Sequence, residues 1–210
     1  MNVTTKSLLV AMAFGGSVAT ATAAPVITDV TASGPGLESF SFEDPAPTFK
    51  YLSTAFSSAD PVTLRFTVAH TEGDNPEHHI YETITNGTAT AFTGLHLRID
   101  ESTGIPGDGV AFNYFNADHY LAPDFAPNFT LDAASAGPRE LNFTGELEAG
   151  ASVEDGYFNL TLPDPGAGNM YTFSLTQTAT VGVVPEPETY AMLLAGLGLM
   201  GAMVRRRSMR

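Results

Sequence analysis

Val62-Thr63-Leu64-Arg65-Phe66-Thr67-Val68 decides the fold class. Val62, Leu64, Phe66 and Val68 alternate with Thr63, Arg65 and Thr67, a period of two. Successive side chains of a strand point to opposite faces, so this spacing predicts a half-buried β-strand. Glu72-Gly73-Asp74-Asn75-Pro76 reads as a loop after it, and His79 to Thr85 as the returning strand of a hairpin. Asn86-Gly87 punctuates a turn. Leu95, Leu97 and Ile99 alternate with His96 and Arg98 in a further strand.

The same pattern continues in both directions. Asp100 to Gly109 is rich in turn residues, Val110 to Tyr114 reads as a short strand, and Phe115 to Pro138 as an irregular excursion. Strands are expected around Leu141 to Leu147, over Tyr157 to Leu162 and over Met170 to Thr178. A last strand from Thr176 fades by Val184. Towards the N-terminus, Val26 to Thr31 reads as one strand, followed by a loosely ordered Gly/Pro/Glu-rich stretch up to Phe49. Short strands separated by Gly, Pro and Asn turns predict an all-β body, an antiparallel β-sandwich of immunoglobulin or jelly-roll type.

Both ends of the chain depart from this pattern. Lys6, the apolar run Leu8 to Phe14 and the small residues up to Ala24 have the order of a secretory signal peptide. Ala21-Thr22-Ala23 supplies the small-x-small cleavage pattern, which predicts a cut after Ala23 by signal peptidase. At the other end, Val184-Pro185-Glu186-Pro187 precedes the uncharged stretch Tyr190 to Val204 and then Arg205-Arg206-Arg207. Pro185 and Pro187 hold the short motif extended. The uncharged stretch would make roughly 22 Å of helix at 1.5 Å per residue. That is short of a hydrocarbon core of roughly 30 Å, a deficit that snorkelling arginines and local thinning can cover. The three arginines form a membrane stop and hold the C-terminus on the cytoplasmic side.

Val184-Pro185-Glu186-Pro187, the Leu193-Leu194-Ala195-Gly196-Leu197 core and Arg205-Arg206-Arg207 resemble, in order and spacing, the PEP-CTERM sorting signal of Gram-negative bacteria. The resemblance implies recognition by an exosortase and cleavage near Pro185-Glu186-Pro187. It implies transient anchoring in the inner membrane, then delivery to the cell surface or to an extracellular polysaccharide or biofilm matrix. Tyr81 to Thr88 with Ala91 to Ile99 also resembles a segment recurring in secreted PEP-CTERM proteins. Here Phe92 takes the place of an expected tryptophan and Gly94 that of an expected aspartate. The expected organisation is therefore a signal peptide (1–23), a β-sandwich body (24–183) and a sorting signal with a transmembrane helix (184–210).

Charge narrows the partners. The chain has 23 acidic and nine basic residues. Without Lys6, Glu186, Glu188 and the basic tail, the body keeps four bases against 21 acids, a net charge near −17. Such a surface repels nucleic acid. With no cysteine, the body has neither disulfides nor a thiol nucleophile.

Side chains that could carry chemistry are few. A hairpin would bring His70 near His78 or His79, with His96 on a following strand, and three imidazoles on a β-surface can hold zinc or copper. Adjacent His78 and His79 face opposite ways, and strand-end polar residues are the plainer reading, so no metal is assigned. Glu72, Asp74 and Asn75, or Asp100, Glu101 and Asp108, could form a calcium loop, but neither has the EF-hand spacing. Gly-x-Ser-x-Gly, a phosphate loop and His-Glu-x-x-His are all missing from the sequence. The body's Asn-x-Thr triplets, at Asn86, Asn128, Asn142 and Asn159, read as turn and strand chemistry. Tyr114, Tyr120 and Tyr157 are candidates for stacking on sugar rings. The expectation is a non-enzymatic exported protein without a cofactor. A carbohydrate-binding module or adhesin is the alternative, to be recognised by a row of exposed aromatics, and a secreted hydrolase is the second alternative.

Overall fold

The computed structural model describes residues 23–73, 77–101, 105–106, 109–115 and 122–182, together with 192, 194–197 and 200. Eleven strands of these residues form two sheets. In chain order they are β1 (Ala23–Ser33), β2 (Leu37–Ala46), β3 (Phe49–Phe56), β4 (Val62–Glu72), β5 (His78–Asn86) and β6 (Phe92–Glu101). Then come β7 (Ala111–Phe112), β8 (Phe129–Leu131), β9 (Glu140–Leu147), β10 (Ser152–Thr161) and β11 (Met170–Val181). The first sheet runs β1-β4-β11-β6-β9-β8 and the second β2-β3-β5-β10-β7.

The alternation that opened the sequence reading is real. In β4, Val62, Leu64, Phe66 and Val68 are fully buried while Thr63, Arg65 and Thr67 are not. Neighbouring β11 repeats the pattern with Tyr171, Phe173, Leu175, Gln177 and Ala179. Phe66 and Phe173 stack at the centre of this sheet, with centroids 4.8 Å apart and planes 6° from parallel. From the second sheet, Leu52, Phe56, Ile80, Ile84, Phe158 and Leu160 close the core. A fully buried side chain of this size contributes about 1.5–3 kcal/mol through removal from water.

The expected hairpin between the strands at Val62 and His79 does not form. β4 pairs with β1 and β11 in one sheet, whereas β5 pairs with β3 and β10 in the other. Each connection from β3 through β6 crosses the sandwich. Because β4 lies in the opposite sheet, β3 and β5 meet in the same direction and pair parallel. All the other pairings are antiparallel, so the antiparallel expectation holds with this exception.

Four further expectations are corrected. The stretch read as loosely ordered before Phe49 contains β2, hairpinned to β3. Its Phe40 and Phe42 are half-buried, while Ser39, Ser41 and Glu43 face out. The stretch read as irregular after Phe115 contains β8, paired with β9. Val110 to Tyr114 holds only the two residues of β7 before a 3-10 turn, Asn113–Phe115. The last two expected strands are one, β11, the strand between β4 and β6.

β1 begins at Ala23, whose backbone pairs with Glu72. A cut after Ala23 therefore removes one residue from this edge strand. Ala21 lies outside the described residues, as do Val184 to Pro187 and Arg205 to Arg207. In the tail, residues 192, 194–197 and 200 are helical. Among the described residues no helix is long and apolar enough to cross a membrane, so the expected transmembrane helix is not displayed.

Candidate functional site

The outer face of the second sheet carries the most distinctive surface. Phe49 and Tyr51 sit two apart on β3, and His79 and Tyr81 two apart on β5, so each pair shares a face. The parallel register sets Phe49 beside His79 and Tyr51 beside Tyr81. β10 sets Tyr157 beside Tyr81. The rings follow this register. Phe49 stacks on His79 at 5.0 Å and Tyr51 on Tyr81 at 5.3 Å, each within 17° of parallel. Tyr81 meets Tyr157 at 5.3 Å with a 52° tilt.

Exposure grades across this row. Phe49 and Tyr51 are about 40 % exposed, at 39% and 43%, whereas Tyr157 is 5% exposed. The residues beside Asp124, which bridges to Tyr157 through the backbone, lie against that end. The Tyr157 hydroxyl and His79 Nδ1 are 2.9 Å apart. Burial pushes the Tyr157 pKa up to about 12, so it remains a neutral phenol. Of the tyrosines singled out from the sequence, Tyr157 is thus buried and not available as an exposed platform. Tyr114 borders a separate shallow depression with Pro123, Asp124 and Leu131, and Tyr120 lies outside the described residues. The row's exposed members, Phe49 and Tyr51, and half-buried Tyr81 were missed. Their signal was the repeated aromatic-x-aromatic spacing in Phe49-Lys50-Tyr51 and His79-Ile80-Tyr81.

A groove of about 170 Å³ opens beside the row. Tyr51 and Tyr81 line it, with Ser41, Ser53 and Thr83, and Glu43 and Asp155 also border it. Ser41 pairs with Ser53 in the β2–β3 register, and Ser53 with Thr83 in the β3–β5 register, which makes a hydroxyl floor. Glu43 is on β2 and Asp155 on β10, three strand spacings away, or about 14 Å. Asp155 lies in a bulge between Val153 and Gly156 and has φ of 57°. Aspartate tolerates that left-handed conformation better than most residues, and a bulge re-aims the side chain it carries.

Directly beneath the groove, the sheet's inner face is polar in an otherwise apolar core. Glu82 is fully buried. It accepts a hydrogen bond from Thr54 Oγ1 at 2.7 Å and from Gln177 Nε2 at 2.7 Å. Burial raises its pKa to about 7. Lys50 is also buried and pairs with Asp44. His78 is buried, and its pKa is lowered to about 4, first by burial and then by the charge of Lys50.

The histidines do not converge. His70 pairs with Asp164 at 2.9 Å, His96 with Glu140 at 2.8 Å, His79 joins the aromatic row and His78 points inward. Among the described residues no three His, Asp or Glu side chains are placed to hold a metal ion. Of the calcium-loop residues, Asp74, Asn75 and Asp108 lie outside the described residues, as does the Glu101 side chain. Asp100 accepts from Thr176 Oγ1 at 2.9 Å and Arg98 at 3.1 Å.

β11 ends at Val181, and the expected processing motif begins three residues later. Residues 183–207 match the family model of the PEP-CTERM protein-sorting motif. The chain carries a PEP-CTERM sorting signal. That signal indicates an exosortase-targeted secreted protein, with export and membrane-anchored sorting in a Gram-negative bacterium. No curated protein and no solved structure matches the chain.

The second resemblance read from the sequence has a structural reason at both departures. Phe92 is fully buried and meets Phe56 edge-to-face at 5.8 Å. A Cβ on Gly94 would lie 2.9 Å from the Phe143 carbonyl oxygen, which leaves no room for the expected aspartate.

Proposed function

We propose that the mature body is a non-enzymatic component of the cell surface or of the extracellular polysaccharide matrix. Signal peptidase would free its N-terminus near Ala23, and exosortase would act at Val184-Pro185-Glu186-Pro187. The matching sorting signal at 183–207 carries this reading. It adjoins β11 with only Gly182 and Val183 between strand and motif, so both cleavages would leave the sandwich nearly whole.

The non-enzymatic part draws on the groove. The two exposed carboxylates that border it, Glu43 and Asp155, stand on β2 and β10, strands roughly 14 Å apart at the backbone with β3 and β5 between them. Glu82 has the raised pKa of a general acid, but its hydrogen bonds to Thr54 and Gln177 hold it between the sheets, away from any substrate.

The test is the intact mass of the protein recovered outside the producing cell, with and without its exosortase. A mass spanning Ala24 to about Val184–Pro187, found only when exosortase is present, supports the reading. A tail that persists in both backgrounds makes the segment a plain anchor and overturns it. Added mass would identify an attached glycan or lipid.

A further inference from the structure

We propose that the groove on the outer face of the second sheet binds a glycan built of amino sugars. Three features of the groove call for this ligand. Its tyrosine wall offers Tyr51, whose ring stacks on Tyr81 through one face, to the C–H face of a pyranose ring, and the stacking at 5.3 Å fixes that ring. Its floor of Ser41, Ser53 and Thr83 offers hydroxyls that both donate and accept, as sugar hydroxyls require. The third feature is a carboxylate at either end, Glu43 and Asp155, both exposed.

Charge selects among sugars. The one base in the second sheet, Lys50, points into the core and is paired with Asp44. The body's other bases belong to the first sheet or its approach: Arg65 on β4, Arg98 on β6 and Arg139 just before β9. The groove therefore repels uronate, sulfate and phosphate groups and favours a protonated amine. An ammonium near Glu43 or Asp155 gains a charge-assisted hydrogen bond, and near the Tyr51 ring a cation–π contact. The strands bearing the two carboxylates are about 14 Å apart, so a chain lying across β2, β3, β5 and β10 can meet both.

The aromatic row runs from the groove to the end of the sandwich away from Val181, where β11 ends. β11 leaves the first sheet beside Phe92, near Phe56 and Leu147. Phe49 and His79 begin their strands at the other end. While the tail is still membrane-bound, the aromatic row would face outward.

The proposal concerns the body's own ligand and does not depend on how the protein is released. The test is calorimetric titration of the exported, mature protein with three oligosaccharides: glucosamine, N-acetylglucosamine and glucose oligomers of equal length. The glucosamine oligomer is expected to bind most tightly. Tyr51→Ala and Tyr81→Ala should each weaken it about tenfold, and Tyr81→Phe should not. Glu43→Gln and Asp155→Asn should remove the preference for the free amine. Glu146→Gln, which alters net charge equally on the far sheet, should change nothing. Melting curves establish that each variant is folded, and exposed Tyr51 supplies the mildest substitution. The proposal is overturned if no oligomer binds, if the three bind equally, or if Glu146→Gln weakens binding as much as Glu43→Gln does. Equal binding by a lysine-rich peptide would also overturn it. A protein that binds as expected but keeps its tail would overturn the delivery reading alone.

Discussion

Gln177 of β11 reaches across the sandwich to Glu82 of β5, its amide nitrogen 2.7 Å from both carboxylate oxygens. This contact, with Thr54, is a buried polar link between the inner faces of the two sheets. Its stability cost depends on protonation. The Glu82 pKa rises from 4.5 in a free chain to about 7 in the fold. The folded state therefore holds the proton that the unfolded state has released, and stability falls as pH rises from 4.5 to 7. At about 1.36 kcal/mol per unit, the loss is of the order of 3 kcal/mol. Glu82→Gln keeps the shape and one acceptor oxygen, which can still take Thr54 Oγ1 and Gln177 Nε2, without the charge. It should match the parent protein below pH 4.5 and exceed it above pH 7 in chemical denaturation. A variant that is less stable above pH 7 would show that the ionised carboxylate contributes to the fold.

His78 works in the opposite sense. Its pKa drops from 6.5 to about 4 on folding, so the unfolded chain takes up a proton first as the solution is acidified. Its contribution is complete above pH 6.5 and is lost as pH falls towards 4. Between pH 4.5 and 6.5 the two groups act against each other. The parent protein should show a shallow stability profile there. Glu82→Gln should expose a rising profile with pH, and His78→Leu a falling one. Parallel profiles in the two variants would contradict the opposed titrations.

Asn86 closes one end of the sandwich. Its side-chain nitrogen lies 2.8 Å from the Thr90 carbonyl, 3.0 Å from Leu147 and 3.2 Å from Glu148, and its oxygen accepts from Thr88 N and Oγ1. This ties the crossing from β5 to β6 onto the turn between β9 and β10. Asn86→Ala leaves those carbonyls without their donor and should cost about 2–4 kcal/mol. Asn86→Asp, which loses the donors and adds a buried charge, should cost at least as much by urea denaturation. Asn86 is fully buried, so the Asn-Gly-Thr triplet should also resist glycosylation in the folded protein.

Gly145 and Gly156 are fixed by close approach, and they should respond differently to alanine. A Cβ at Gly145 would fall 1.9 Å from the Asn128 backbone oxygen, which only a shift of β8 can relieve. At Gly156 the nearest atom is on the Phe125 ring, at 2.3 Å, but the Glu82 carbonyl oxygen follows at 2.7 Å. Both substitutions should cost at least the about 1–3 kcal/mol of overpacking. Phe125→Leu should recover part of the loss at Gly156 and none at Gly145. Equal rescue at both positions would refute the ring as the obstacle.

The strands were legible wherever one face is buried and the other wet. Val62 to Val68 and Leu95 to Ile99 announce themselves because water and core alternate along them. Partner choice was not legible. A short loop between β4 and β5 suits a hairpin as well as a crossing, and the choice depends on which inner face each strand completes. β2 was missed because Phe40 and Phe42 are only half-buried and the Gly and Pro residues around them masked their period. The groove needed pairing information for the same reason. Tyr51 and Tyr81 are distant in sequence and meet only through the parallel β3–β5 register, and Asp155 reaches the groove only through a bulge. The sorting signal was the opposite case, since its chemistry is read from consecutive residues.

Arg205, Arg206 and Arg207 provide the last prediction. A cluster of arginines resists transfer through the bilayer, so as a stop it would hold the tail in place while the motif at Val184 to Pro187 is presented. Replacing all three with Ala removes that barrier without touching the body, whose last strand ends at Val181. The variant should be exported with a body as stable as the parent's, but its yield of correctly cut product should fall several-fold. The uncut chain should appear in the periplasm or medium. Pulse-labelling followed by mass analysis of each fraction separates the two species. If the triple variant were cut and released at the parent's rate, the arginines would not act as a stop, and retention would have to come from the uncharged stretch Tyr190 to Val204 alone.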